Sequence, residues 1–314
     1  MPTSHLPSPL RIAVLAGGSS AEREVSLRSG AAVAEALEVA GHAVNVFDPV
    51  TIALDQISWA EFDLAFIALH GGAGEDGRVQ AELASLGVPF TGSDAEACRL
   101  AMSKVESKSR FRQCGVPTPS DVTIAAHQSI ELASERAARL GFPLIVKPNA
   151  EGSSVGVSLA RSRDELATAL LSARAYDDTC IIEPFIVGRE FTVAVLEDRA
   201  LPTIEIVAPG QLFSYEAKYA SSETKYCFDF ELPSRERIEI ERVALAATRA
   251  LGTAGLARVD LMASKRGEIY VLEVNTIPGM TARSLAPLAA SQAGLSMPEL
   301  CDTIVRLPLA AIGV

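Results

Sequence analysis

Apolar residues along this chain gather into short runs separated by stretches with helical spacing. Leu10–Ala16 (LRIAVLA) is the first run. It ends at Gly17-Gly18, so it reads as a buried strand entering a tight turn. Glu22–Ala40 carries Val25, Arg28, Ala32 and Ala36 at helical intervals and is stopped by Gly41. Ala43–Phe47 and Asp63–Leu69 are further buried strands, and Asp76–Leu86 is a helix closed by Gly87. Strands alternating with helices predict a parallel sheet covered on both faces, ending near Thr91–Ser93.

The pattern then changes. A helix containing Leu100–Phe111 stops at Gly115 and the Pro117–Pro119 stretch, and Ser129–Leu140 is also helical. Phe142–Lys147, Ser153–Leu159, Thr179–Ile186, Glu190–Leu196 and Leu201–Val207 read as strands, the last two joined by a turn at Glu197-Asp198-Arg199. Strands that follow strands predict an antiparallel sheet. Pro209–Phe230 has no period, and a loop of that length in a compact domain reads as a lid or Ω-loop. Ser234–Leu251 is a helix, Ala257–Ala263 and Glu268–Asn275 form a hairpin around Lys265-Arg266-Gly267, and the remainder is helical. No internal repeat or low-complexity region interrupts this order.

Composition narrows the class. The 314 residues are 48% hydrophobic and 21% charged, the balance of a globular protein with two to three domains' worth of chain. Aromatic residues are only 5%, so the cores are built from Ala, Leu, Val and Ile. A net charge of −11 with no basic block argues against nucleic acid as the main partner. No apolar run reaches the ~18 residues that span a bilayer, so no membrane role is expected. The first ten residues, MPTSHLPSPL, lack the features of a secretory signal. Five scattered cysteines without a Cys-x-x-Cys pair read as reduced thiols in the cytoplasm, and four scattered histidines make a His-based zinc site unlikely as the chemistry.

Three segments carry candidate chemistry. Arg258-Val259-Asp260 and Glu273-Val274-Asn275 lie on neighbouring strands, and a period of two puts the polar members of each triplet on one face. Two carboxylates and an amide are hard oxygen donors that suit magnesium with phosphate oxygens as further ligands. The same alternation also describes a half-exposed hairpin with incidental charges, and on these residues alone both readings stand. Lys147 ends a strand and precedes Glu151-Gly152-Ser153-Ser154-Val155-Gly156, a loop whose N–H groups can close over phosphates or simply make a hairpin turn. No Gly-Lys-Ser/Thr follows, so it is not a Walker loop. His70–Gly77 (HGGAGEDG) and Gly17–Glu22 follow parallel strands at their carboxyl ends, where ligands bind in open α/β sheets and helix N-termini favour anions. They are equally well two tight turns that needed glycine.

Taken in order, the segments GGSSAEREVSLRSG (17–30), HGGAGEDG (70–77), VKPNAEGSSVG (146–156), YEAKYASSETKY (215–226) and ARVDLMA with EVNTIPGMTARSL (257–263, 273–285) resemble the D-alanine–D-alanine ligases of the ATP-grasp superfamily. The resemblance runs from about residue 10 to 308. It implies α/β and α+β architecture, the ATP-grasp fold. An N-terminal parallel-sheet domain (1–103) is followed by a central subdomain (104–190) and a mainly antiparallel C-terminal subdomain (191–314), with ATP between the last two. The implied reaction phosphorylates the carboxylate of one D-alanine, and the amine of a second then displaces phosphate.

Residue by residue, the resemblance implies that Asp260, Glu273 and Asn275 hold two magnesium ions, with manganese an alternative. Lys104, Lys147 and Lys218 are implied at the phosphates of ATP, under the loop that carries Ser153. Glu183, Ile186 and Glu190 match the adenosine pocket. Arg258 and the backbone of Gly279 match the oxyanion site. Glu22, with His70 nearby, matches the anchor of the first D-alanine, and Ser284 the carboxylate site of the second. Tyr219 is expected to bond Ser153 and Glu22 and so lock the Ω-loop. A homodimer is implied by the family alone. Three positions depart from its pattern: Ser103 for aspartate, Pro184 for lysine beside the adenine, and Arg283 for histidine.

Ligases joining D-alanine to D-lactate or D-serine remain the alternative within enzymes, and a non-catalytic ATP-grasp regulator the alternative outside them. Tyr219 favours the dipeptide, because depsipeptide-forming relatives carry histidine there. A dinucleotide-dependent dehydrogenase is excluded by the missing Gly-x-Gly-x-x-Gly fingerprint.

Overall fold

A computed structural model describes residues 9–125, 127–208 and 224–311. Three strands, β1 (Arg11–Leu15), β2 (Ala43–Phe47) and β3 (Leu64–Ile67), form a parallel sheet in the order β2-β1-β3. The central strand is almost wholly apolar because both its faces are covered: Ile12, Val14 and Leu15 are fully buried, whereas β2, expected to be buried, lies at the sheet's edge with Val46 51% exposed. Helix α1 (Arg23–Val39) turns Ser26, Ser29, Gly30, Val33 and Leu37 inward at intervals of three and four. The connection after β3 leads through a short turn of helix into α2 (Arg78–Ser85).

The helix expected around Leu100–Phe111 is two helices, α3 (Ala95–Met102) and α4 (Lys104–Gln113). The break is chemical. Ser103 takes an extended backbone and its hydroxyl accepts from the Glu106 N–H, so it ends one helix and caps the next. Aspartate, the family's usual residue here, is as good a cap, which accounts for that departure.

A second sheet contains β4 (Val122–Ala125), β5 (Leu144–Pro148), β6 (Ser158–Ala160) and β7 (Thr179–Pro184), antiparallel in the order β4-β7-β5-β6. Helices α5 (Ile130–Ala137) and α6 (Arg163–Arg174) cover it through Ala133, Leu166, Leu170 and Ala173. Two of these elements are additional to the expected ones. β4 is only four residues long, and the stripe of α6 is blurred by Leu171, which points outward and is 60% exposed. The strand expected over Ser153–Leu159 is shorter and later, because Ser153 and Ser154 take left-handed backbone that no strand accommodates.

The third sheet holds β8 (Gly188–Leu196), β9 (Arg199–Ala200), β10 (Ile204–Val207), β11 (Lys225–Cys227), β12 (Leu256–Ser264) and β13 (Ile269–Asn275). Its order is β11-β10-β8-β12-β13, with β9 paired to β8. Of the loop expected over Pro209–Phe230, residues 209–223 lie outside the described residues, and Lys225–Cys227 are a strand paired with β10. Helix α7 (Ser234–Leu251) seals one face through Ile240, Val243, Ala247 and Leu251 against Val193, Val259 and Val271. Ala194, Leu196, Ile204 and Leu256 instead share a core with Leu10, Val14 and Val33 and with the closing helices α8 (Leu285–Gln292) and α9 (Met297–Ala311). The end of the chain thus completes the core begun by its first strand.

All five cysteines are free, and burial raises the Cys98 thiol to about 11 and the Cys301 thiol to about 12. No described helix is long and apolar enough to cross a membrane.

Candidate active site

Two cavities open where the three sheets meet. The first, about 890 Å³, is lined by Glu22, His70, Ser153, Arg258, Asn275, Gly279 and Ser284 among others. The second, about 510 Å³, is lined by Lys147, Glu183, Pro184, Ile186, Glu190 and Asp260 among others. Lys104, Glu151 and Glu273 line both, so the two spaces share a wall. Every described residue proposed from the sequence reaches one cavity or the other. Lys218 and Tyr219 lie outside the described residues.

Glu273, one of the three shared residues, belongs to a sheet face built by β12 and β13. Arg258 is opposite Asn275 and Asp260 opposite Glu273, which puts all four side chains on one sheet face as the period of two predicts. Arg258 grips Asp260 with two bonds of 2.9 Å, and Thr192 from β8 donates to Asp260 Oδ1 at 2.7 Å. The carboxylate is 5% exposed yet held by three donor bonds, as a buried charge must be. Immediately after Asp260 the register shifts by one residue. This bulge lets consecutive residues Leu272 and Glu273 both line the second cavity, an apolar wall beside a carboxylate. Alternation alone had given no sign of it.

Lys104 faces Glu273 from α4, its ammonium 3.6 Å from Glu273 Oε2 and donating to the Glu151 carbonyl at 2.7 Å. Burial raises the Glu151 carboxyl above its ordinary value, against the pull of Lys104. Asn275 Oδ1 accepts from the Ile277 N–H at 3.1 Å, which fixes the amide's orientation. Among the described residues no group of three or more His, Cys, Asp and Glu side chains is placed to hold a metal ion. A magnesium ion bound here would draw on the two carboxylates, the amide, phosphate oxygens and water, and that hard-oxygen donor set fits it.

The first cavity's far side comes from the parallel sheet. Glu22 precedes α1, and its Oε1 accepts from the Ser153 hydroxyl, so the loop of the second sheet is tied directly to the first. Gly71, at φ +66°, permits this approach: a Cβ there would lie 2.8 Å from Glu22 Oε2. His70 is 4% exposed, with Nε2 2.9 Å from Ser29 Oγ and Nδ1 3.5 Å from Glu75 Oε1. Ser29 also accepts from the Met280 N–H, which fastens the Gly279 turn to α1. Ser284 precedes α8, and its hydroxyl is 2.8 Å from that of Thr281. Gly279 packs against it, since a Cβ would come 2.8 Å from Ser284 Oγ. Ser29 and Glu75 lie inside the segments 17–30 and 70–77 but were given no role of their own, and Thr192 was not singled out at all: it acts by touching Asp260, which is distant along the chain, and no local pattern marks it.

In the second cavity, Glu183 at the end of β7 is 3% exposed and ion-paired to Lys147 and Lys108, each at 2.7 Å. Burial pushes the Glu183 carboxyl up, but the two lysines outweigh it and hold it below the ordinary range. Pro184 pairs with Leu144 across β5 and β7 and lines the second cavity.

Two family models match: D-ala D-ala ligase N-terminus over residues 50–93 and D-ala D-ala ligase C-terminus over residues 111–306. A D-alanine–D-alanine ligase of Marinomonas sp. (strain MWYL1) is 46% identical over 302 residues, 94% of each chain. The chain belongs to the D-alanine–D-alanine ligase family. Crystal structures of the Bacillus anthracis D-alanine–D-alanine ligase superpose with TM-scores of 0.86 alone (37% identity) and 0.83 complexed with ATP (33% identity). Each comparison covers 96% of this chain and 98% of that one. The VanG D-Ala:D-Ser ligase of Enterococcus faecalis superposes with a TM-score of 0.84 at 28% identity, covering 96% of this chain and 100% of that one. The parallel sheet followed by two antiparallel sheets is thus the ATP-grasp fold of these ligases.

Proposed function

We propose that the protein joins two molecules of D-alanine in an ATP-dependent reaction through a D-alanyl phosphate, releasing ADP and phosphate, to supply the dipeptide for peptidoglycan precursors. The observation that carries this is the pair of cavities meeting at Lys104, Glu151 and Glu273. A nucleotide in the second cavity and an amino acid in the first bring the γ-phosphate and the carboxylate together at that wall. Attack of a carboxylate on a triphosphate crowds anions, so cations must converge there.

Lys104 and Lys147 supply fixed positive charge, with Lys218 assigned the same task. Asp260, Glu273 and Asn275 would hold two magnesium ions, which bound there neutralise the phosphate oxygens; manganese has the same preference for hard oxygen ligands. Glu22 meets the ammonium of the first D-alanine, near His70, and Ser153 fixes the Glu22 carboxylate. Ile186 and Glu190 hold the adenosine, and Glu183, expected with them, has both carboxylate oxygens engaged by Lys108 and Lys147. Arg258 and the Gly279 N–H face the oxyanion formed when the second amine attacks, and Ser284 at the start of α8 receives that substrate's carboxylate. Tyr219 closes the loop over Ser153 and Glu22. The working units are 1–103, 104–190 and 191–314, assembled in a cytoplasmic homodimer.

Phosphate release and dipeptide formation from ATP, magnesium and D-alanine test this, with D-serine and D-lactate as competing second substrates. D-alanine-dependent release coupled to D-alanyl-D-alanine is expected. Release indifferent to D-alanine, with no dipeptide, refutes it, and a dominant mixed product moves the chain to the other ligase specificity.

A further inference from the structure

Helix α4 presents two lysines one turn apart, and only one reaches the cavities. Lys104 lines both; Lys108, four residues on, is 1% exposed and lines neither. The Lys108 ammonium lies 2.7 Å from Glu183 Oε1, donates to Thr118 Oγ1 at 2.9 Å, and stands 4.0 Å from Asp121 Oδ1. The other oxygen of Glu183 is 2.7 Å from Lys147 Nζ. One buried carboxylate is therefore shared between two ammonium groups, one sealed in the interior and one on the cavity wall.

The charges do not cancel. Asp121 is engaged by Arg112 on its outer side. Among Lys108, Glu183 and Lys147, two positive charges face one negative. Were Lys147 the only partner of Glu183, an approaching phosphate would meet a neutral pair. With Lys108 behind, Glu183 is already neutralised from within, and the excess charge stands on the side open to ligand. Burial lowers the Lys108 ammonium below its ordinary value and Lys147 adds to the fall, while Glu183 opposes it; the cluster is a set of strongly interacting charges in a dry setting.

We propose that Lys108 is a positioning residue for nucleotide binding: it neutralises Glu183 from the interior so that Lys147 meets the phosphates as a net cation. This rests on the assignment of ATP phosphates to Lys147, which the same experiment checks separately.

The test compares the dissociation constants of ADP and adenosine, both with magnesium present, for the full-length protein and its variants. Lys108→Met is expected to weaken ADP about tenfold and adenosine less than about twofold, because only the phosphates sense the lost charge. Adding Glu183→Gln to Lys108→Met is expected to return the ADP-to-adenosine ratio towards the unmodified value, since nothing then cancels Lys147. Lys108→Arg keeps the charge and should keep the ratio. Lys108→Gln serves in place of Lys108→Met if the latter does not fold. An equal loss for ADP and adenosine, as a packing role would give, overturns the proposal, as does a ratio that Glu183→Gln fails to restore. If Lys147→Met leaves the ratio unchanged, the phosphates lie elsewhere and the underlying assignment fails. If Lys147→Met lowers the ratio and Lys108→Met does not, only the role of Lys108 falls.

Discussion

Glu273 stands between the cavities, 3.6 Å from Lys104 and directly opposite Asp260 on the neighbouring strand. Exchanging its carboxylate for an amide removes the negative charge that would hold the proposed magnesium beside the transferring phosphoryl, and leaves the adenosine wall at Ile186 and Glu190 intact. Glu273→Gln is therefore expected to lower kcat at least about 100-fold while changing ATP affinity only several-fold. Steady-state kinetics with a binding titration measure both, and near-normal turnover at saturating magnesium would show that Glu273 holds no metal. At this scale much of the site was legible, because Arg258, Asp260, Glu273 and Asn275 lie on two adjacent strands and a period of two suffices to gather them. The partners that hold them were not. Thr192 reaches Asp260 from β8 and Ser29 reaches both His70 and Met280, contacts between residues 68, 41 and 251 positions apart that only the fold creates.

Ser103 shows how one residue decides an element. The apolar pattern runs through it, since Leu100, Ala101 and Phe111 continue a helical face, yet its hydroxyl competes for the Glu106 N–H and splits the helix. That break sets the first turn of α4, and so the direction in which Lys104 points. Asn149 reinforces it: its Oδ1 accepts from the Val105 N–H at 2.9 Å and lies 3.3 Å from the Ser103 hydroxyl. Ser103→Ala is expected to cost about 1 kcal/mol in urea unfolding, whereas Ser103→Asp, an equivalent cap, should stay within about 0.5 kcal/mol. Equal losses from both would mean that the cap contributes nothing. Periodicity resolves long elements such as α1, α7 and the β12–β13 hairpin, where a face repeats over several turns or pairs. It fails on four-residue β4 and on α6, whose outward Leu171 hides a face made of Leu166, Ala169, Leu170 and Ala173.

At the scale of the whole molecule, the last helix is as much a part of the first sheet's core as α1 is. Leu300, Ile304 and Val305 pack with Leu10, Val14 and Val33, and a polar clasp fixes the same junction. His42 is buried; its Nδ1 accepts from the Leu10 N–H at 3.1 Å, which leaves Nε2 to donate to Asp302 Oδ1 at 2.8 Å. Arg306 holds the same carboxylate at 2.8 Å. Burial raises the Asp302 carboxyl, but Arg306 and His42 outweigh it, and it ionises below its ordinary 3.8. A carboxyl held below its unfolded value stabilises the fold above that value and loses the contribution as pH falls through the folded one. Asp302→Asn should therefore lower stability by about 1 kcal/mol at neutral pH. The deficit should shrink as pH falls below 3.8, where protonation in the unfolded chain begins to offset the folded-state contacts, and end once the folded carboxyl is itself neutral. Urea unfolding of the two proteins in parallel, carried down in pH as far as both stay folded, gives the difference directly and cancels every other titrating group. A deficit that stays constant through the acid range would mean that Asp302 acts by shape and not by charge.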